Sequence, residues 1–233
     1  MNGSPAEQEP AQSKTDDECS ADRRPLASRS TGWARRLSAA LAATSITPNQ
    51  ISILSMVAAA GAWVAMALSV SVDSRTLTVL CLIVAAVACQ LRLLCNLMDG
   101  MVAIEAGKQT RDGALWNELP DRVADILILV GLGLAAGSVS LGWAAAALAV
   151  FTAYVRELGK GIDGVVDFRG PMAKPHRMAL VTGALLLAAM CSMASLLSAQ
   201  YVAAILQLAL WILCTGTVVT LYRRSSALLG RLQ

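Results

Sequence analysis

The chain has 233 residues, of which 56% are hydrophobic and only 15% charged, with a mean hydropathy of +0.58. A soluble domain carries roughly 25% charged residues, so this composition excludes an ordinary water-soluble globule and makes lipid the solvent. The net charge of +3 is too small to argue for a nucleic-acid partner.

Taken in chain order, residues 1–30 are rich in Ser, Pro, Glu and Asp and lack an apolar run. They read as a disordered cytoplasmic tail without a cleavable signal segment. Residues 32–43, GWARRLSAALAA, suit a short amphipathic helix on the membrane surface, with Trp33 at the interface and Arg35 and Arg36 near anionic headgroups. They equally suit a basic flank that only orients the first span. Thr47-Pro48-Asn49 reads as the turn that opens that span.

Six apolar stretches then follow, at 50–70, 77–98, 121–138, 140–158, 176–198 and 200–222. Each is long enough, or nearly so, to cross a hydrocarbon core of roughly 30 Å. The third is the weakest, because Asp121, Arg122 and Asp125 occupy its first two turns. The short links at 136–140 and 198–200 predict antiparallel hairpins. The expected fold is therefore all-α: a polytopic membrane bundle of six transmembrane helices over residues 31–225, with an N-terminal interfacial helix and a short cytoplasmic tail at 226–233.

Orientation follows from Lys and Arg. Arg35, Arg36, Lys108, Arg111, Arg122, Arg156, Lys160, Arg169, Lys174, Arg177, Arg223, Arg224 and Arg231 fall on one side, and the other side has Arg75 and little else. Both termini are expected in the cytoplasm. The six cysteines form no CxxC pair, and five lie in apolar runs, where Cys behaves as a small hydrophobe.

Polar residues inside spans are costly and mark function, and here they gather at one depth. The second stretch ends with Arg92, Asn96 and Asp99 before Gly100. Asn96 and Asp99, three apart, share a helix face, as do Asn117, Asp121 and Asp125, four apart, at the start of the third. Carboxylate and amide oxygens in such a cluster suit a hard cation. The competing reading is helix capping and interhelical hydrogen bonding. Arg92 needs an acidic partner, either Asp99 or a carboxylate on a neighbouring helix.

The register of the segment is specific. From Asn96 to Asp121 the chain reads NLMDGMVAIEAGKQTRDGALWNELPD. It resembles the motif of the CDP-alcohol phosphatidyltransferase family: Asp, two residues, Asp-Gly, two residues, Ala-Arg, eight residues, Gly, three residues, Asp, three residues, Asp. Every spacing is kept. Asn96 stands at the first Asp, while Asp99, Gly100, Ala103, Gly113 and Asp121 match. Asn117 stands at the third Asp and Ile104 at the Arg. Upstream, ITPNQIS resembles the element that opens the family's first span, and the resemblance covers roughly residues 32–225.

The resemblance implies an integral membrane enzyme, in a bacterial inner membrane, that moves a phosphatidyl group from CDP-diacylglycerol to an alcohol and releases CMP. It implies Mg²⁺ or Mn²⁺ held by Asn96, Asp99, Asn117 and Asp121, and a homodimer in the lipid. Asp121 stands at the place of the general base, with Asp125 in reserve for either role and Arg122 as a substitute for the missing Arg. Gly100, Ala103 and Gly113 would let the nucleotide approach the backbone. Lys174 and Arg177, flanking His176, would hold phosphate, which leans towards a phosphorylated acceptor; the alternative for all three is ordinary flanking charge. Two other functions stay open. Asn96, Ile104 and Asn117 allow a catalytically inactive relative that binds nucleotide lipid or a membrane partner, and intramembrane charge alone allows a small transporter.

Overall fold

The computed structural model describes residues 31–105, 113–194 and 198–233. The expected tail at 1–30 lies outside the described residues. Among those described there are seven helices: α1 (Gly32–Ala42), α2 (Pro48–Ser69), α3 (Arg75–Glu105), α4 (Gly113–Ala135), α5 (Val139–Asp163), α6 (Lys174–Met193) and α7 (Ala199–Leu232).

The start of α2 is set by local chemistry. Thr47 Oγ1 accepts a hydrogen bond from Gln50 N at 3.3 Å, and Gln50 Oε1 accepts one from Thr47 N at 2.9 Å. This reciprocal capping satisfies two backbone donors that the helix leaves open. Pro48, which lacks an N–H, fits the first turn. At the other end of α5, Gly164 adopts φ 72°, the left-handed conformation that ends a helix without a Cβ clash.

Five helices are long and apolar enough to cross a membrane: Pro48–Ser69, Arg75–Ile104, Val139–Asp163, Lys174–Met193 and Ala199–Leu232. The chain is an integral membrane protein. Helix α4 is not among the five, since Glu118, Asp121, Arg122 and Asp125 crowd its first half. It is nonetheless a full member of the bundle. The six long helices close into a ring in the order α2, α3, α6, α7, α5, α4, with α4 returning to pack on α2. The pairs α4–α5 and α6–α7 are the hairpins expected from their short links.

Two elements outrun their apolar stretches. Helix α3 continues past 98 to Glu105, through Asp99-Gly100, and α7 continues past 222 to Leu232, through the stretch expected as a tail. In both, the added turns are held by packing. Met101 and Val102 are buried against Ala34 of α1, and Leu228 is buried at the far end of α7. Helix α1 thus lies across the end of α3, with Ala34 and Ser38 inward and Trp33 outward.

The bundle interior mixes many small residues, among them Ala59, Ala62, Ala85, Ala86, Ala145, Ala146, Ala149 and Ala188, with buried Leu82, Ile128, Leu129, Leu132, Leu185 and Leu210, while Val57, Val87, Leu187, Met190, Leu208 and Trp211 face outward. Lipid tails are as apolar as Leu, so helices associate through close packing of small residues. The tightest approach is between α4 and α5. A Cβ on Gly142 would lie 2.8 Å from the Leu129 carbonyl and 2.9 Å from Gly133 Cα.

Gly142→Val is expected to destabilise the protein by about 1–3 kcal/mol, the usual cost of overpacking against backbone. Gly161→Ala, whose Cβ meets open space, should be neutral or stabilising. Thermal unfolding of the two variants in detergent checks the contrast.

Candidate functional site

The polar residues of α3, α4 and α6 meet at one end of the ring. Helix α3 contributes Arg92, Asn96 and Asp99 from its C-terminal half, α4 contributes Asp121 and Asp125 from its start, and α6 contributes Lys174 and Arg177 from its first turn. Helices α3 and α4 touch only lightly and are not the packed hairpin their sequence adjacency suggests; α2 lies against both. The gap between them is bridged by side chains long enough to cross it.

Arg92, 0% exposed, is the main bridge. Its Nη2 donates to Asp121 Oδ1 at 3.2 Å, to the Asp121 carbonyl at 3.1 Å and to Asp125 Oδ1 at 2.9 Å. Of the partners open to Arg92 on sequence grounds, the α4 carboxylates take it and Asp99 does not. Arg177 Nη2 donates to the other Asp125 oxygen at 2.8 Å, and its Nη1 donates to the Met172 carbonyl at 3.2 Å. Asp125 therefore has both oxygens committed to guanidinium groups and is 1% exposed.

Asp121 and Asn96 face each other through Lys174. The Lys174 ammonium donates to Asn96 Oδ1 at 2.5 Å and to Asp121 Oδ2. Arg122 lies 3.9 Å from that same Asp121 oxygen and pairs at 2.8 Å with Glu118. Asp99 is placed differently. Its Oδ2 accepts from Ser52 Oγ of α2 at 2.9 Å, and its Oδ1 takes the Gly100 N–H at 2.6 Å. Gly100 and Ala103 are half-buried on the last turns of α3, and Gly113 is half-buried at the start of α4. Ile104, at the family's Arg position, is 53% exposed and faces away. His176 is exposed and outside the cluster. Asn117 lies on α4, but its side chain is outside the described residues.

The donors that converge are all oxygens of carboxylate and amide groups, which is the chemistry a hard divalent cation selects. Asn96 Oδ1 and Asp121 Oδ2 are already arranged about one cation, the Lys174 ammonium. Among the described residues, no three His, Cys, Asp or Glu side chains lie together as a metal cluster. Cys81, Cys89, Cys95, Cys191 and Cys214 are free thiols.

A second layer holds the α6 residues in place, and the sequence reading passed over it. The connection from α5 to α6 is fastened onto α7. Met172 N donates to Thr220 Oγ1 at 3.0 Å, and Arg224 donates to the Arg169 carbonyl at 2.9 Å and to the Thr152 carbonyl at 3.0 Å. Gly170 has φ 122°, and a Cβ there would fall 2.3 Å from Thr220 Cγ2, so only Gly fits. In the same connection, burial opposes ionisation of Asp167, yet hydrogen bonds from the Arg169 side chain and backbone hold its carboxyl below the usual range. Arg224 read only as basic flank. Its signal was the Gly216–Thr220–Arg224 spacing, one helix face of small, hydroxyl and cationic residues. Ser52 stood within the ITPNQIS element without being counted in the site.

Comparison with known proteins supplies the fold's relatives. No family model matches this sequence. The structure is similar to the crystal structures of Mycobacterium tuberculosis phosphatidylinositol phosphate synthase (PgsA1). With CDP-DAG bound, that enzyme superposes at a TM-score of 0.66 and 18% identity, covering 84% of this chain and 92% of that one. Its complex with manganese and citrate gives 0.66 and 18%, covering 84% and 88%, and its apo form gives 0.60 and 21%, covering 84% and 94%. The chain thus shares the helical fold of that synthase. Among curated proteins, the Escherichia coli (strain K12) inner membrane protein YnbA is 37% identical over 94 residues. That match spans 40% of this chain and 46% of YnbA, less than half of either.

Asp125→Ala leaves two buried guanidinium groups without their shared carboxylate, and it is expected to cost about 3–5 kcal/mol. Glu157→Ala, which breaks a more exposed ion pair with Arg156, should cost no more than about 1 kcal/mol. Unfolding midpoints in detergent should separate the two; equal shifts would show that Asp125 does not hold the cluster.

Proposed function

We propose that this chain transfers the phosphatidyl group of CDP-diacylglycerol to an alcohol and releases CMP. One observation carries the reading: Asn96, Asp99 and Asp121, residues in the motif register, gather with Lys174 at one end of the bundle, on a fold similar to an enzyme solved with CDP-DAG. Manganese in another structure of that enzyme supports a divalent ion here. Asn96, Asp99, Asn117 and Asp121 would hold it, through oxygens that fit Mg²⁺ or Mn²⁺. Bound there, the ion would neutralise diphosphate charge and polarise the attacked phosphorus.

The chain's own residues divide the remaining work. Asp121 is the base that takes the acceptor hydroxyl's proton, and Arg92, which donates to both its carboxylate and its backbone carbonyl, orients it. Lys174, with 19% of its side chain exposed, is the cation within reach of a phosphate. Asp125 is committed to both Arg177 and Arg92, so the three position Asp121 and Lys174. Gly100, Ala103 and Gly113 place no bulk where a nucleotide approaches. The acceptor is a small alcohol, with a phosphorylated one favoured by Lys174.

The same reading places the site at the cytoplasmic end of six spans in a bacterial inner membrane, with both termini on that side. The basic residues at that end support the orientation, and the partial similarity to an inner membrane protein supports the choice of membrane. Helix α4 serves as the sixth span because α2, α3, α5 and α7 surround it, so its charges turn inward, away from lipid. Helix α1 then lies in the headgroup layer.

A second reading rests on the charge balance of the cluster. Asn96 and Asn117 remove two carboxylates and Ile104 removes an arginine relative to the motif, which favours a relative that binds nucleotide lipid without turning it over. The deciding assay incubates purified protein with CDP-diacylglycerol, Mg²⁺ or Mn²⁺ and a panel of alcohols, and follows radiolabelled CMP. The expected result is divalent-dependent release that Asp121→Asn lowers by about 10²-fold or more. Binding of the lipid with no CMP from any acceptor would leave the second reading.

A further inference from the structure

The charge arrangement suggests how the site admits its ion. Two carboxylates, Asp121 and Asp125, are met by three cations, Arg92, Lys174 and Arg177, while Asp99 is held by Ser52 and the Gly100 N–H, so the paired carboxylates are already neutralised by protein alone. The cluster even has donors to spare. Arg92 Nε and Nη1 and Arg177 Nε are buried without a hydrogen-bond partner among the described residues. A further positive charge brought into this arrangement meets repulsion, unless one resident cation withdraws.

Only one of the three is free to do so. Arg92 is 0% exposed, Arg177 is 3% exposed, and withdrawal of either leaves Asp125 short of a partner inside an apolar bundle. Lys174 differs in each respect. It begins its helix, has 19% of its side chain exposed, makes no ion pair with Asp125, and carries its charge on a flexible four-carbon stem. The oxygens it joins, Asn96 Oδ1 and Asp121 Oδ2, belong to different helices and are those a divalent ion would need.

We propose that the Lys174 ammonium is a tethered counter-cation that competes with a divalent ion for the oxygens of Asn96 and Asp121, so that the ion enters only as Lys174 leaves. The inference rests on the metal-dependent reading above. It makes Lys174 a positioning residue with two stations, one between the oxygens in the ion-free protein and one outward when the ion is bound. An anionic phosphate that draws the ammonium outward then favours ion entry. Ion binding and phosphate binding are thereby coupled through one side chain.

The test uses the full chain purified in detergent. Mn²⁺ binding is followed by the paramagnetic resonance of free Mn²⁺ for the native protein, Lys174→Met and Asp121→Asn. Lys174→Met is expected to bind Mn²⁺ about tenfold or more tightly than native protein, and Asp121→Asn more weakly. A readout on the native chain needs no variant: Mg²⁺ should raise reductive methylation of Lys174 severalfold relative to the exposed Lys160, quantified by peptide mass spectrometry. The proposal requires both results. If the native protein binds Mn²⁺ but Lys174→Met binds no tighter, or Lys174 labelling is unchanged at saturating Mg²⁺, the competition is wrong while the metal-dependent reading stands. If neither protein binds Mn²⁺, the competition and the metal both fall.

Discussion

Asp125, held between the guanidinium groups of Arg92 and Arg177, is the contact on which the functional end of this molecule is built. It joins three helices, α3, α4 and α6, at a depth where a lone charge would be untenable. Neither α3 nor α6 can slide or rotate against α4 without separating a carboxylate from its counter-charge. The pairing therefore acts as a register for the three helices. Its value lies in position, because a buried ion pair often adds little net stability over an apolar substitute. What it secures is the approach of Asn96 on α3, Asp121 on α4 and Lys174 on α6, groups that share no local sequence.

Around that contact the bundle separates two tasks. Small residues and glycine let the helices approach, as where Gly133 and Gly142 bring α4 and α5 together, and aliphatic side chains both fill the core, as Ile128 and Leu210 do, and cover the outer surface, as Val57 and Leu208 do. The polar end is stabilised by hydrogen bonds to backbone. Met172 is central to this. Its carbonyl accepts from Arg177 and its N–H donates to Thr220, so the α5–α6 connection links the Asp125 pairing to α7. The extra turns of α7 serve this link, since they carry Arg224 to the carbonyls of Arg169 and Thr152.

The departures from the family motif take on a common sense in this setting. Asn96 puts an uncharged oxygen beside Lys174 where the motif has a carboxylate, and Ile104 turns outward where a cation would have needed a partner. Arg92, which has no place in the motif, takes up the carboxylates of α4 from the opposite side. The site has fewer anions than the motif and keeps its cations inside. Arg92 Nε and Nη1 and Arg177 Nε stay buried there without a partner among the described residues.

Composition and apolar length were enough to specify a helical membrane protein, the hairpins at 136–140 and 198–200, and the start of the first span after the turn at 47–49, because each depends on a few consecutive residues meeting lipid or water. The spacing of Asn96 and Asp99, and of Asp121 and Asp125, likewise put these polar residues on shared helix faces, since helix periodicity alone does so. Which partner each one chose was not legible. Arg92 had several carboxylates within sequence reason, and only the ring order of the helices, with α2 wedged against α3 and α4, sends it to Asp121 and Asp125. The same holds for Lys174 between two oxygens and for Arg224 beneath the α5–α6 connection. Such choices are made by long-range packing, where one side chain satisfies groups from several helices at once, and no local rule along the chain encodes them.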